Sequence, residues 1–230
     1  MGDVTVGSSV LDALRDESAV LTAALEGLPG PVWERPTRCT PWLVRDLVGH
    51  IITVLARVPA MVAAPAPERP AISATEYFRA DDRFSDAANA DRVRMGQERA
   101  GSADPAMLVE ELGRTWREVV AVSERQPADR VVLTRHGDAM LLTEFLTTRV
   151  FEVAVHGIDV ADAVDAPPWL TPAGAEHVLR MLFGPNGRTA LDATGWDAAT
   201  LVRKATGRAP ISPVESATLD RLGMRRLALG

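Results

Sequence analysis

The sequence predicts a mainly helical protein, with a helical bundle over residues 1–165 and a small helical and turn-rich extension over residues 166–230. Three observations predict this fold class. Apolar residues recur at spacings of three and four, as they do on the buried face of a helix. Aromatic residues make up only 5% of the chain, whereas the helix-favouring Ala, Leu, Arg and Glu are abundant. Proline and glycine cluster between the periodic stretches, where helices are expected to end.

The first two helices carry clear apolar stripes. Residues 7–28 form the first helix, and Pro29-Gly30-Pro31 ends it. The second is predicted to open with Thr40 as its N-cap and Pro41 at the first helical position. The stripe of the second helix consists of Leu43, Leu47, His50 and Val54. His50 is therefore expected to point inward, as the leucines do.

The middle of the chain is less regular. Residues 74–100 are polar, and they are predicted to form a solvent-facing helix or a cover over a site. Asp104-Pro105 starts an amphipathic helix that runs to about Arg125. The stretch RVVLTRHGDAML is expected to be extended, with a turn at Gly137-Asp138.

Three further helices are predicted in the second half. One begins near Thr143 and runs to about Val164. Its inward positions include Phe145, Glu152, His156 and Val160. The next begins at Thr171-Pro172, and a last short helix spans 196–206, followed by a turn-rich end. Antiparallel packing of the longer helices would bury their apolar stripes in one core.

Composition and charge argue against several function classes. The formal net charge is −6, whereas proteins that bind the phosphate backbone of nucleic acids concentrate Lys and Arg. The single cysteine, Cys39, excludes an internal disulfide and a cysteine-rich zinc module. No secretory signal is evident at the N-terminus, and no apolar run is expected to cross a membrane. We therefore expect a cytoplasmic protein without nucleic-acid or membrane partners.

The candidate site is a set of three residues on two helices. Glu152 and His156 are four residues apart, so they lie on one face of their helix within a largely apolar stretch. With His50 they would supply three protein ligands and leave an open position, as in a catalytic zinc site. The same donors also suit iron, manganese or nickel. The alternative is an ordinary buried histidine that bonds a nearby acid.

Two acids extend the pattern. Asp46 lies one turn before His50, and Asp159 lies three residues after His156. Either could orient a ligand histidine by accepting its second ring N–H. For Asp46, pairing with a surface arginine is an equal alternative. Cys39 precedes a predicted helix N-terminus and is either a reactive thiolate or a small buried residue.

Two motifs resemble those of a known family. The run TRCTPWLVRDLVGHI resembles the segment that opens the second helix of the mycothiol-dependent maleylpyruvate isomerase family, in the DinB-like helical bundle superfamily. The run TEFLTTRVFEVAVHGIDVADAV resembles that family's other metal-bearing helix. The resemblance implies a DinB-like up-down four-helix bundle. It also implies zinc or another divalent metal on His50, Glu152 and His156, with mycothiol entering as the fourth ligand.

The resemblance also implies an activity. LVRKATGRAP is similar to a C-terminal segment of many relatives and points to Arg208 as a catalytic contact for an anion or substrate. The expected protein is a thiol transferase or isomerase in which a metal-bound mycothiol thiolate attacks a small electrophile. A water in the open position would instead give a hydrolase, and a non-catalytic metal-binding module is the third alternative. The motifs leave the substrate open.

Overall fold

Four helices form the centre of the fold. The computed structural model describes residues 8–228. The central helices are α1 (Ser8–Glu26), α2 (Val44–Leu55), α6 (Pro105–Ser123) and α7 (Leu142–Ala163). α1 and α2 each pack against both α6 and α7, and their apolar faces form one continuous core. The predicted mainly helical, DinB-like bundle is confirmed.

Shorter elements connect and cover the bundle. They are α3 (Arg57–Ala63), α4 (Ala74–Tyr77), α5 (Asp86–Ala100) and the strands β1 (Val131–Leu133) and β2 (Ala139–Leu141). The two strands pair antiparallel across the predicted turn, with Val132 opposite Met140. Single 3₁₀ turns occur at Gly30–Glu34, Asp82–Phe84 and Gly184–Asn186. The polar helix α5 packs along α2, so it covers the bundle.

The C-terminal extension packs onto the bundle through α8 (Pro172–Phe183), which contacts α1 and α7. The remaining helices of this region are α9 (Gly187–Thr194), α10 (Ala198–Ala205) and α11 (Pro213–Arg221). Thr171 caps α8 as predicted. The division of the chain at residue 165 stays a prediction.

The structure corrects the predicted start of α2. The helix begins at Val44, and the Thr40-Pro41 pair lies before it in a turn closed by a hydrogen bond from the Trp42 N–H to the Cys39 carbonyl. Asp46 sets this start, because its carboxylate accepts the backbone N–H of Leu43. The end of the chain is also more helical than predicted, since α9 and α11 were both expected to be irregular.

One stretch, Val44–Ala63, has the length and apolar composition of a membrane span, contrary to the sequence-based expectation. It comprises α2 and α3, and more than half of it is buried inside the bundle. A core helix of a globular domain passes the same test, so this is weak support for a membrane span.

Candidate metal centre

The three predicted ligand residues meet where α2 packs against α7. His50 lies in the middle of α2, and Glu152 and His156 lie one turn apart on α7. Both histidines are buried, and the Glu152 side chain is 15% exposed. The inward apolar stripes therefore bring together side chains that are about a hundred residues apart in the chain.

The donor atoms are spaced as metal ligands are. The Glu152 Oε2 atom lies 3.5 Å from His50 Nε2 and 3.2 Å from His156 Nε2. The imidazole rings are 5.1 Å apart between centroids and nearly perpendicular, at 89°. Ligands bound at 2.0–2.1 Å to a tetrahedral zinc ion lie about 3.3 Å apart. The two histidines and the carboxylate therefore fit a small divalent cation in donor type and in spacing.

Burial and mutual contacts set the protonation of these groups. Burial lowers the pKa of His50 to about 4, so its ring is neutral near pH 7. Burial by itself would raise the pKa of Glu152, but hydrogen bonds to His156 and His50 and the Arg149 charge hold it well below its ordinary value. Burial opposes charge on His156, yet its contacts with Asp159, Cys39 and Glu152 raise its pKa well above the ordinary value. A bound cation would have to displace that proton.

Asp159 and Arg208 form a chain of contacts behind His156. The Asp159 carboxylate is fully buried, and its Oδ2 lies 3.0 Å from His156 Nδ1. Arg208 donates to the same carboxylate from Nε at 2.8 Å and from Nη2 at 2.7 Å. Asp159 can therefore orient the His156 ring, as carboxylates behind metal-binding histidines do. Arg208 lines the adjoining cavity, although two of its nitrogens are engaged by Asp159.

Asp46 and Cys39 lie elsewhere around the site. The Asp46 carboxylate caps α2 by accepting the backbone N–H of Leu43. One predicted role of Asp46 was instead to orient the His50 ring. The half-buried Cys39 places its Sγ 3.4 Å from Asp159 Oδ2. Cys39, His156 and Asp159 form a second group with ligand spacing. Because this group shares His156 with the first, it is an alternative to that group and cannot be filled independently.

A cavity of about 230 Å³ adjoins the three donors. Its polar wall includes Cys39, Thr40, His50, Arg57, Tyr77, Arg83, Asn89, Arg92, Arg135, His136, Arg149, Glu152, His156 and Arg208. Six of these residues are arginines, and Glu152 is the single acidic residue that the described part of the chain places on the wall. The cavity is thus suited to an anionic ligand next to the metal-ligand set.

Most residues of this wall were not predicted from the sequence. Arg149 precedes Glu152 by three residues on the same helix face, so helical spacing could have revealed it. Arg149 is 1% exposed, and its Nη2 atom lies 3.8 Å from Glu152 Oε1. Its guanidinium carbon stacks over the Phe145 ring, 4.6 Å from the ring centroid. Arg135 and His136 come from the β1–β2 turn, and nothing in the sequence indicated that this turn reaches the site.

Fold and site together define a class of helical-bundle proteins in which two histidines and a carboxylate from facing helices line an internal cavity. The chain belongs to the mycothiol maleylpyruvate isomerase family: the family's N-terminal domain matches residues 14–161. This confirms the predicted family and the prediction of an isomerase-like enzyme.

Solved structures agree with this assignment at the level of the fold. A crystal structure of the mycothiol-dependent maleylpyruvate isomerase matches with a TM-score of 0.56 and 16% identity, over 87% of this chain and 88% of that one. A histidine-to-alanine mutant of that isomerase matches with a TM-score of 0.57 and 15% identity, over the same shares. No curated protein matches the chain by sequence comparison.

Proposed function

We propose that this protein is a divalent-metal-dependent thiol transferase or isomerase, with the metal held by His50, Glu152 and His156. One observation carries the proposal: three donor atoms of the types that bind zinc converge within 4.8 Å of one another on the wall of a cavity. Zinc is the metal that we assign, because two histidines and a glutamate are one of the ligand sets of catalytic zinc, and mycothiol is the thiol that the family's name supplies.

The protein's own groups prepare the site for such a ligand. Zinc bound there would keep a coordinated thiol deprotonated near neutral pH, which makes the sulfur a strong nucleophile. His50 is neutral and Glu152 is ionised, so both donate without losing a proton. Asp159 holds the His156 ring by its Nδ1 atom, so that Nε2 faces Glu152. Three protein ligands leave room for the incoming sulfur on the cavity side.

Arg208 is assigned a positioning role in this proposal. Its guanidinium bonds both oxygens of Asp159, which is the bidentate geometry that arginine forms with carboxylates. Arg208 therefore fixes Asp159, and Asp159 in turn fixes His156. The contact with a substrate anion, which the resemblance implied for Arg208, is better provided by arginines of the cavity wall that have no carboxylate partner among the described residues.

An addition and elimination sequence accounts for isomerase chemistry. A thiolate that adds to one carbon of an activated cis double bond leaves a single bond, about which rotation is free. Loss of the same thiolate then returns the trans alkene, so that the thiol is regenerated and no oxidant or reductant is required. If a leaving group departs in place of the thiolate, the outcome is thiol transfer.

Cobalt substitution tests the proposal directly. Cobalt-loaded protein is titrated with mycothiol, and an S-methylated derivative of the thiol serves as the control ligand. We expect the visible spectrum to change on adding the thiol and to stay unchanged with the derivative, because only a free thiol can supply a thiolate ligand. Absence of any change with the free thiol would contradict a thiol-dependent enzyme and leave metal-bound water as the reactant.

A further inference from the structure

Three arginines from three different elements line the cavity that adjoins the metal ligands. Arg57 opens α3, Arg92 lies on α5, and Arg135 lies in the β1–β2 turn. We call these three residues the arginine cluster. Arg57 and Arg92 are half-buried and Arg135 is exposed, so the cluster reaches from the cavity wall to solvent.

The arginine cluster has no carboxylate partner among the residues that the structure describes. Arg57 contacts the Met95 sulfur at 3.7 Å, and Arg92 donates to the Asn89 side chain and to a backbone carbonyl. Arg92 also lies over the Phe84 ring, 4.8 Å from its centroid. These partners are neutral, so no ion pair among the described residues neutralises Arg57 or Arg92, although the charge of Glu152 acts on both.

Other arginines on the same wall are paired. Arg83 bonds Asp138 at 2.9 Å and Asp81 at 3.1 Å, and Arg208 bonds Asp159. The cluster is therefore distinct from the paired arginines around it. Half-buried like charges repel each other, and an anionic ligand would relieve that repulsion.

The titration behaviour of these groups agrees with a local excess of positive charge. Burial, with the nearby charges of Arg135 and Arg149, lowers the pKa of Arg57 to about 10, so it stays charged at neutral pH. Burial, with Arg135, Arg83 and Arg92 nearby, lowers the pKa of His136 to about 4. The imidazole of His136 is thus neutral and leaves the charge of the cluster unchanged.

We infer that Arg57, Arg92 and Arg135 form an oxyanion subsite that holds a carboxylate or phosphate group of the electrophilic substrate while its reactive carbon lies near the metal ligands. The assignment of that anion to the substrate rests on the proposed function. Guanidinium groups bind both kinds of oxyanion through paired N–H donors, and they do so more strongly at a partly desolvated site.

The layout of the cavity separates the two ends of such a substrate. Arg149 lies 3.8 Å from Glu152 and 5.6 Å from the centre of the Tyr77 ring, and Tyr77 lies 5.8 Å from the His136 ring. Arg135 immediately precedes His136 in the chain, so Arg149 and Tyr77 lie between the metal ligands and the turn. The electrophile is therefore expected to carry its anionic group several bonds from the reacting carbon.

Calorimetric titration with succinate and with inorganic phosphate tests the subsite. Each anion is titrated into metal-free and zinc-loaded protein, and into Arg57→Gln, Arg135→Ala and the matched control Arg94→Ala. Arg94 lies on α5 two residues after Arg92, but it is exposed and paired with Glu98. We expect each cluster variant to weaken anion binding by about tenfold or more in both metal states, whereas the control leaves it unchanged. The anion that binds more tightly identifies the group that the subsite prefers.

Two results would overturn the subsite. One is equal affinity in the cluster variants and the wild type. The other is anion binding that requires zinc and is insensitive to the arginines, which would place the anion on the metal. Arg135→Lys is a second variant at an exposed position, and it should retain part of the affinity because the charge remains. If cobalt shows no thiol response while anion binding still depends on the cluster, the proposed function fails and the subsite stands.

Discussion

At the scale of single residues, Asp159 connects the C-terminal extension to the candidate ligands. It is fully buried, it contacts His156 Nδ1, and it receives two hydrogen bonds from Arg208. Burial would raise the pKa of Asp159, but the contacts with His156 and Arg208 lower it below its ordinary value, so the residue stays ionised. Its charge can therefore hold the imidazole in one orientation.

Replacing Asp159 with asparagine should weaken metal binding by about 10- to 100-fold, because the ring loses the carboxylate that orients it. Zinc affinity measured by competition with a chelator checks this expectation. Asp162→Asn is the matched control: Asp162 lies on the same helix, but its partner is Arg203, which is not among the residues that line the cavity. If Asp159→Asn bound zinc as tightly as Asp162→Asn and the wild type, Asp159 would not contribute to metal binding by His156.

The identity of the candidate ligand residues could be predicted from the sequence, but many of the residues around them could not. Helical spacing placed Glu152 and His156 on one face, and the apolar stripe of α2 turned His50 inward. The Asp159 contact follows from the same spacing. Arg135 could not be predicted, because a turn residue has no periodicity that indicates which cavity it approaches.

At the scale of elements, α5 is held on α2 by a close approach of the two backbones. A Cβ atom added at Gly49 would lie only 2.5 Å from the carbonyl oxygen of Gly96. The Trp42 indole also donates to the Val93 carbonyl on α5, at 3.2 Å. The polar helix α5 thus depends on a small residue in α2 for its position over the cavity.

The substitution Gly49→Ala should destabilise the protein by about 1–3 kcal/mol, because the new methyl group overlaps the backbone of α5. Urea unfolding followed by circular dichroism measures this. Gly157→Ala is the control, since the nearest atom to its added Cβ is Leu21 Cδ1 at 3.9 Å. The control should be neutral or stabilising by up to about 1 kcal/mol, because alanine favours a helix. Equal destabilisation in the two variants would refute the close-packing argument.

Local signals located most helices, and they failed where two signals competed. Thr171 and Pro172 mark the start of α8 correctly. The same Thr-Pro pair at Thr40-Pro41 does not start α2, because the Asp46 carboxylate caps a start at Val44. Helix α11 carries its own signal, a capping box formed by Ser212 and Glu215, beneath a composition rich in turn residues.

At the scale of the whole molecule, Glu17 joins the bundle to the C-terminal extension. It lies on α1, is 3% exposed, and accepts the backbone N–H and the hydroxyl of Thr171 at the start of α8. Burial raises its pKa to about 7, and the hydrogen bonds from Thr171 only partly oppose this. The contact between the two parts of the chain therefore includes a carboxyl group that prefers to be protonated.

Because the pKa of Glu17 is higher in the folded state than its ordinary value of 4.5, folding favours the protonated form. The contribution of Glu17 protonation to the free energy of unfolding is about 3 kcal/mol. It is fully present below about pH 4.5 and is lost as the pH rises through about 7. Glu17→Gln should remove this part of the pH dependence in urea unfolding. The exposed Glu26→Gln on the same helix should retain it, and an unchanged pH profile in Glu17→Gln would contradict the assignment.

The arrangement of the whole molecule was predictable in part. The apolar periodicity of α1, α2, α6 and α7 specifies amphipathic helices whose stripes must be buried together, so the bundle follows from the sequence. The docking of α8 onto α1 could not be predicted in this way. It depends on a contact between Glu17 and Thr171, which are 154 positions apart and have no periodic relation.

Measuring the metal content decides whether His50, Glu152 and His156 bind a divalent metal. Purified protein, His50→Ala, His156→Ala and the control His177→Ala are measured by elemental analysis after exhaustive dialysis. His177 is also buried, but its Nδ1 contacts a backbone carbonyl on α8 away from the cavity. We predict about one equivalent of metal in the wild type and the control, and loss of metal in the other two, because two ligands remain. Full metal occupancy in both His50→Ala and His156→Ala would show that these residues do not hold the metal.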